Sequence, residues 1–503
     1  MLLIYAPIKH LEQINLFIAK EDRLDELVEV IDYLEKRPIP SANNLLVKKE
    51  EIWPLIDWYN LQPPFLLPEN IPFNEANFLG IIFSKLQNYE KAHFYLSKNN
   101  PTLFLELDFI NRLQQGLTIN PDELVSQYSP FEEYRLMHNQ AILRHYASTS
   151  ANFDLDKTIY FYGEALQSAP NEEYRAFTLR HLALLLMDIG KTEKAIPLLK
   201  ATLEHDISKE AKTEIKHTLC QAWMQILSVP YDVELLEKLK ITLWEVLQEY
   251  EKQERSTDVA MLLTDAGIIA NYSESWSESL GYFNRAISIF ENENLPELAA
   301  NAQYRKGILL FTWAKNGNPQ FFRTAAECFQ KTTSIYNRNN ALEVYADIQH
   351  HLGMIYAEIP DEIKKKGIWA AVSSSAFQEA LEIYSKETHP YEYAAVCNHY
   401  GNALVNYPEA KLSDNYEKAI FYYQEALDIR TPEKYPMERC LTILNYLEAQ
   451  WHLGMPEDKF DENRYLDMIQ KAEEVKFLSG DDNLKIEAEK QLEKLAQLKM
   501  AYA

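Results

Sequence analysis

The feature that most constrains the fold is a small residue that recurs inside apolar, helix-like stretches. A second small residue follows it twelve positions later. This interval separates Gly80 from Ala92, Ala183 from Ala195, and Gly267 from Ser279. Glycine inside a helix costs about 1 kcal/mol relative to alanine, so its recurrence there indicates close packing between two helices. We therefore expect antiparallel helix pairs that stack against one another.

The stretch from 391 to 432 shows the pattern most clearly. Gly401 lies inside its first amphipathic segment, and Ala419, Tyr423 and Ala426 share one face of its second segment. A single helix pair cannot bury both of its faces, so it needs a neighbour on each side.

These marks resemble the tetratricopeptide repeat, in which W-x2-L-G-x2-Y precedes A-x3-F and a proline. The matches cover roughly residues 74–476 and are weakest in 208–251. The resemblance implies an all-α fold, a right-handed α-solenoid of stacked antiparallel helix pairs that forms a superhelix. The later repeats are longer than usual, as in bacterial scaffold and signalling arrays. Their extra residues are predicted between the two helices of a pair, at 316–319, 360–367 and 408–414.

We predict three regions. Residues 1–73 form an N-terminal helical region with a proline-rich strap, 74–476 form the helix-pair array with a break near 116–130, and 477–503 form a capping helix. Within the first region the pattern predicts helices at 10–20, 22–36 and 42–58, before the prolines at positions 63, 64, 68 and 72.

The charge balance narrows the classes of partner. The sequence has 75 acidic and 50 basic side chains, for a net charge of −25. Nucleic acids and anionic membranes attract basic surfaces, so we expect neither as a partner. The charge favours a protein or peptide with basic segments, or serves solubility alone. The four scattered cysteines form no CxxC motif, so we expect no metal, no cofactor and a cytoplasmic location.

No sequence motif indicates catalysis. HExxH, GxSxG and the phosphate-binding GxxxxGK[ST] are all absent, so we expect a protein that is not an enzyme. One cluster stands out, formed by His350, His351, Cys397 and His399. Adjacent helical residues point about 100° apart, so the two consecutive histidines cannot both face one metal ion. We predict one histidine between repeats and the other in solvent.

The resemblance also implies a binding groove lined by the first helix of each repeat. It assigns contact positions three residues before and one residue after the small residue. The candidates at or beside these positions are Asn301, Tyr304, His350, Asn398, Asn402 and Asn445. An asparagine amide donates and accepts, which suits it to the main chain of an extended peptide. The alternative is that these side chains bond within the fold or face water.

The function predicted from these observations is a non-enzymatic scaffold or adaptor that binds protein or peptide. One alternative is a ligand-responsive regulator of the same repeat type. Another is an all-helical toroid enzyme, which the small residues inside the helices disfavour because they fit stacked pairs better.

Overall fold

The computed structural model describes residues 2–33, 43–59, 63–124, 130–147, 153–408, 414–453 and 460–502. The chain divides into two compact units, Met1–Gln253 and Glu254–Ala503. Unit 1 combines a small sheet with helices, and the described part of unit 2 is helical.

Unit 1 begins with five strands, β1 (Leu2–Ala6), β2 (Val28–Asp32), β3 (Asn44–Lys48), β4 (Glu51–Pro54) and β5 (Ile71–Pro72). They form one sheet in the order β2-β1-β3-β4-β5. Strand β1 is parallel to both of its neighbours, β2 and β3, whereas β3, β4 and β5 pair antiparallel. Ile4, Leu45 and Ile52 are fully buried and share a core with the helices that follow.

The sheet overturns part of the sequence prediction. The helices predicted at 22–36 and 42–58 are wrong, because their described residues contain β2, β3 and β4 and the short 3-10 helix Leu24–Glu26. The segment Val28–Asp32 is too short to choose between a helix and a strand by local pattern. Pairing with β1 decides the outcome, since it supplies main-chain hydrogen bonds from a distant part of the chain. Residues 34–36 and 42 lie outside the described residues.

The helix predicted at 10–20 is confirmed as the first helix of unit 1. The helices of this unit are α1 (Ile8–Ile18), α2 (Glu75–Lys85), α3 (Tyr89–Leu96), α4 (Pro101–Gln114), α5 (Pro130–Tyr146), α6 (Leu155–Ser168), α7 (Glu172–Asp188), α8 (Thr192–Leu203), α9 (Lys209–Ile226) and α10 (Val233–Lys252). Asparagine side chains accept a main-chain N–H at the start of α2, α3 and α4, which satisfies donors that a helix leaves free.

The break predicted near 116–130 lies between α4 and α5. A second 3-10 helix, Pro121–Glu123, occupies part of this interval, and residues 125–129 lie outside the described part of the chain.

The described residues of unit 2 form consecutive antiparallel helix pairs. The first helices of the pairs are α11 (Ser256–Tyr272), α13 (Pro296–Lys315), α15 (Leu342–Glu358), α17 (Pro390–Asn406) and α19 (Pro436–Leu453). The second helices are α12 (Trp276–Asn292), α14 (Phe321–Thr332), α16 (Ile363–Leu381), α18 (Asn415–Ile429) and α20 (Glu462–Leu478). The terminal helix α21 (Asp482–Tyr502) follows.

The helix pairs touch at the small residues that the sequence marked. A Cβ atom built on Gly267 would lie 2.8 Å from the ring of Phe283 on the partner helix. The hydroxyl of Ser279 donates to the carbonyl of Gly267 at 2.7 Å. The two small residues that lie twelve positions apart therefore contact each other across the two helices of a pair. The predicted class of helical solenoid is confirmed, and among the described residues the strands occur only in the N-terminal part of unit 1.

One pair of substitutions tests this contact directly. We expect Gly267→Ala to lower the free energy of unfolding by about 1–2 kcal/mol, because overlap with buried Phe283 outweighs the gain in helix propensity. Gly281 lies in the partner helix with no atom within 4 Å of a built Cβ, so Gly281→Ala should stabilise by about 0.5–1 kcal/mol. Urea unfolding of both variants measures the difference. Equal effects would contradict the contact.

The predicted insertions are confirmed only in part. Residues 316–319 lie between α13 and α14, as expected. Of the interval 360–367, only residues 360–362 lie between the helices, because α16 already begins at Ile363. Residues 409–413 of the third insertion lie outside the described chain.

Candidate functional site

Hydrogen bonds connect consecutive first helices in unit 2. The hydroxyl of Tyr304 on α13 donates to the carboxylate of Asp347 on α15. His351, one turn further along α15, also bonds back to the main-chain carbonyl of Asp347, at 2.9 Å. Burial opposes ionisation of Asp347, but the hydrogen bonds from His351 and Tyr304 outweigh it and hold its pKa at about 2. Tyr304 is thus engaged within the fold.

The next connection is a histidine pair. His350 Nε2 on α15 and His399 Nδ1 on α17 lie 2.8 Å apart, so one nitrogen donates and the other accepts. His350 is 8% exposed, and His351 is half-buried and stacked on Phe329. The interpretation of His350 as an inter-repeat contact agrees with this geometry, whereas His351 contacts the fold rather than solvent alone. Within the described ranges, no group of three or more histidine, cysteine or acidic side chains is arranged to hold a metal ion.

The histidine pair predicts a pH dependence of stability. Burial lowers the pKa of His350 well below its ordinary value, and burial with the nearby charge of Arg430 lowers the pKa of His399 to about 4. The unfolded chain binds these protons near pH 6.5, before the folded chain does. The neutral histidine pair therefore makes its full contribution to the free energy of unfolding above pH 6.5. This contribution is lost as the pH falls towards 4.

We expect each of the two histidines to contribute about 2 kcal/mol to the loss of stability between pH 7 and 4.5, measured by urea unfolding. The variant His399→Gln keeps a hydrogen-bonding side chain at this position, but the side chain cannot be protonated in this range. Its free energy of unfolding should therefore fall less between pH 7 and 4.5 than that of the wild type. An unchanged difference between the two pH values would show that the pair does not supply this dependence.

The candidate asparagines divide into two groups. Asn445 on α19 donates its amide to the oxygen of Asn398 on α17 at 3.4 Å, which extends the inter-helix bonding. Asn402 instead accepts the hydroxyl of Tyr423 at 2.7 Å within its own helix pair. Asn301 is exposed on α13. Asn398 and Asn402, one turn apart on α17, therefore bond to two different helices, α19 and α18.

We name the residues that bond between consecutive first helices the first-helix row. It consists of Tyr304, Asp347, His350, His399, Asn398 and Asn445, on α13, α15, α17 and α19. An amide has two donor hydrogens and an oxygen with two lone pairs, and the bond between the two asparagines uses one donor and one lone pair. The end of the row at α17 and α19 therefore retains hydrogen-bonding capacity.

Sequence reasoning missed a comparable group in unit 1. Asn139 on α5 bonds both main-chain groups of Leu66, with each distance 2.8 Å. His138 lies beside it and contacts the carbonyl oxygen of Pro64 at 2.8 Å. The sequence contains a signal that could have identified this group. His138 lies three residues before the small residue Ala141, which is the same spacing that selected Tyr304 and its counterparts in unit 2.

In the part of the chain that the structure describes, no helix combines the length and the apolar character needed to cross a bilayer.

Comparison with known proteins finds likeness in structure only. No protein-family model matches, and no curated protein matches. The solved structures include yeast Tom70, with 13% identity over 84% of this chain and 82% of that chain and a TM-score of 0.36. A Rap conjugation gene regulator of plasmid pLS20 in complex with the Phr* peptide has 11% identity over 85% and 98%, with a TM-score of 0.38. Cut9–Hcn1 of the APC/C has 15% identity over 82% and 68%, with a TM-score of 0.33.

No residue or ligand is transferred from these proteins. What identifies the helix pairs is their own geometry, in which a glycine of the first helix lies against an aromatic ring of the second. The pairs in contact are Gly267 with Phe283, Gly307 with Phe329, Gly353 with Phe377, and Gly401 with Tyr423. The repeating unit of the described helices in unit 2 is an antiparallel helix pair, which resembles the pair expected of a tetratricopeptide repeat.

Proposed function

We propose that this chain is a non-enzymatic scaffold that binds a protein or peptide on the first helices of unit 2. The observation that carries the proposal is the amide pair Asn398–Asn445, which bridges α17 and α19 and retains donor and acceptor capacity. Exposed Asn301 supplies a third amide, on α13. The net charge of −25 favours a partner with basic segments.

The geometry of Asn139 supports this chemistry. In unit 1 that residue already holds both main-chain groups of one residue of the same chain. In the proposed function, asparagines on the first helices of unit 2 bind the main chain of an external peptide in the same way, independently of its side chains. The ionisable members of the first-helix row bond to other helices, which fits a structural and binding role rather than proton transfer to a substrate.

Affinity capture from the cell of origin tests the proposal. We expect the double variant Asn301→Ala/Asn445→Ala to bind its partner at least about tenfold more weakly than the wild type, because two or more hydrogen bonds are lost. Asn402 is left intact because it bonds to Tyr423 within the fold.

The matched control is Asn292→Ala, which removes an exposed amide from a second helix, α12. Circular dichroism should show that all three proteins are folded. Recovery of the same partner in equal amounts with both variants would refute the binding surface.

A further inference from the structure

One segment of unit 1 that is neither helix nor strand is held by helix side chains. Residues Pro63–Glu69 contain neither helix nor strand. The Oδ1 atom of Asn139 accepts the N–H of Leu66 at 2.8 Å, and its Nδ2 atom donates to the carbonyl of Leu66 at 2.8 Å. One amide of α5 thus satisfies both main-chain groups of one residue, as a neighbouring strand would.

A third hydrogen bond, from His138, fixes the direction of the segment. His138 Nε2 lies 2.8 Å from the carbonyl oxygen of Pro64, and a carbonyl only accepts, so Nε2 carries the proton. His138 Nδ1 then accepts from the hydroxyl of Thr178, 2.9 Å away on α7. The ring also stacks on Phe177, with centroids 5.4 Å apart. The imidazole is therefore a fixed donor two residues upstream of Leu66.

The side chains of the segment define what this surface accepts. Phe65 and Leu67 are 7% and 9% exposed and join the hydrophobic core of unit 1. The carboxylate of Glu69 accepts the hydroxyl of Tyr174 on α7 at 3.2 Å. The prolines at 63, 64 and 68 have no N–H that needs an acceptor, and the N–H of Phe65 donates to the carbonyl of Pro63 at 2.7 Å.

A small cavity borders the segment. This cavity of about 40 Å³ is lined by Leu66, Lys85, Ile110 and Phe177 among others. Side chains that border a void lose part of their dispersion contacts. The segment also lacks the ladder of main-chain bonds that holds the neighbouring strands. Local opening should therefore cost less here than in the sheet.

We infer that the face of α5 and α7 is a peptide-binding surface that the chain's own Pro63–Glu69 segment occupies. Its external partner is an extended peptide segment of the same chemistry. In such a peptide, two apolar side chains flank a residue whose N–H and carbonyl can bond to Asn139, and an acidic side chain follows. This surface lies in unit 1 and does not depend on the first-helix row of unit 2.

The tethered segment competes with any such partner. A short tether gives an effective concentration in the millimolar range, so the wild-type chain should bind a free peptide weakly. Replacing Phe65 and Leu67 with serine removes the apolar anchors of the tethered segment and leaves Asn139 and His138 in place. The full-length Phe65→Ser/Leu67→Ser chain is the released variant.

The probe is a fluorescent peptide with the sequence of residues 63–70, PPFLLPEN. We expect it to bind the released variant at least about tenfold more tightly than the wild type. A peptide with N-methyl-leucine at the position of Leu66 cannot donate to Asn139 and should bind the released variant at least about tenfold more weakly. In the released background, Asn139→Ala should make the two peptides equivalent.

Equal binding of the two peptides by the folded released variant, or no binding, would overturn the inference. Hydrogen exchange of the wild-type chain tests whether the segment can be released, and it does so even if the released variant does not fold. Exchange of the Leu66 amide through a local opening, faster than in strands β1 and β3, supports occupancy by a releasable segment. Exchange of that amide only through global unfolding would make the segment a permanent part of the core and overturn the inference.

Discussion

Replacing Tyr423 with alanine is expected to lower the free energy of unfolding by about 3–5 kcal/mol. Its ring is 1% exposed on α18 and fills the space that Gly401 leaves on α17, where a built Cβ would lie 2.5 Å from the ring. Truncation removes buried apolar surface and leaves a cavity between two helices that are each fixed by further neighbours. Urea unfolding followed by circular dichroism measures the loss.

The matched control is Tyr423→Phe, which keeps the ring and removes only the hydroxyl that donates to Asn402 at 2.7 Å. We expect this variant to lose about 1 kcal/mol, the usual net value of one hydrogen bond. If the alanine variant were no less stable than the phenylalanine variant, the ring would not hold the pair together.

The second large effect is expected in unit 1, at an ion pair between α7 and α9. Arg180 lies 3.2 Å from the Glu214 carboxylate and donates to the hydroxyl of Thr218 at 2.9 Å. The two charged side chains are 6% and 1% exposed. Arg180→Met removes the positive charge beside a buried carboxylate, so we expect a loss of about 3–5 kcal/mol.

Two further variants separate charge from packing at this site. Adding Glu214→Gln to Arg180→Met removes the buried negative charge and should recover part of the stability. Lys216→Met breaks an exposed ion pair with Glu245 that also joins neighbouring helices, and it should cost only about 0–1 kcal/mol. A loss for Lys216→Met as large as that for Arg180→Met would contradict the role of burial.

The candidate site could be predicted from the sequence only as a set of positions. Counting from the small residues selected Tyr304, His350, Asn398 and Asn445, and the structure brings these positions onto consecutive first helices. The count could not predict the partners, because His399 is 49 residues from His350 and Asn445 is 47 from Asn398. Hydrogen bonds between helices depend on how the repeats stack.

Hydrogen bonds between elements explain two features that the local sequence pattern could not supply. Asn402 accepts the hydroxyl of Tyr423 from the second helix of its pair. The pattern of residues 28–32 permitted a helix, but β1 was available as a parallel partner. In both cases the deciding hydrogen-bond partner lies on another element of the fold.

The sequence by itself determined the repeating helix pair, because the twelve-residue interval between Gly267 and Ser279 is a local property of two helices and one turn. Only the tertiary structure decided the sheet of unit 1, the contacts of the first-helix row and the seating of Leu66 on Asn139. The last of these joins residues 73 apart. Periodicity reports which face of an element is buried, whereas the identity of the group that covers it depends on how distant elements pack.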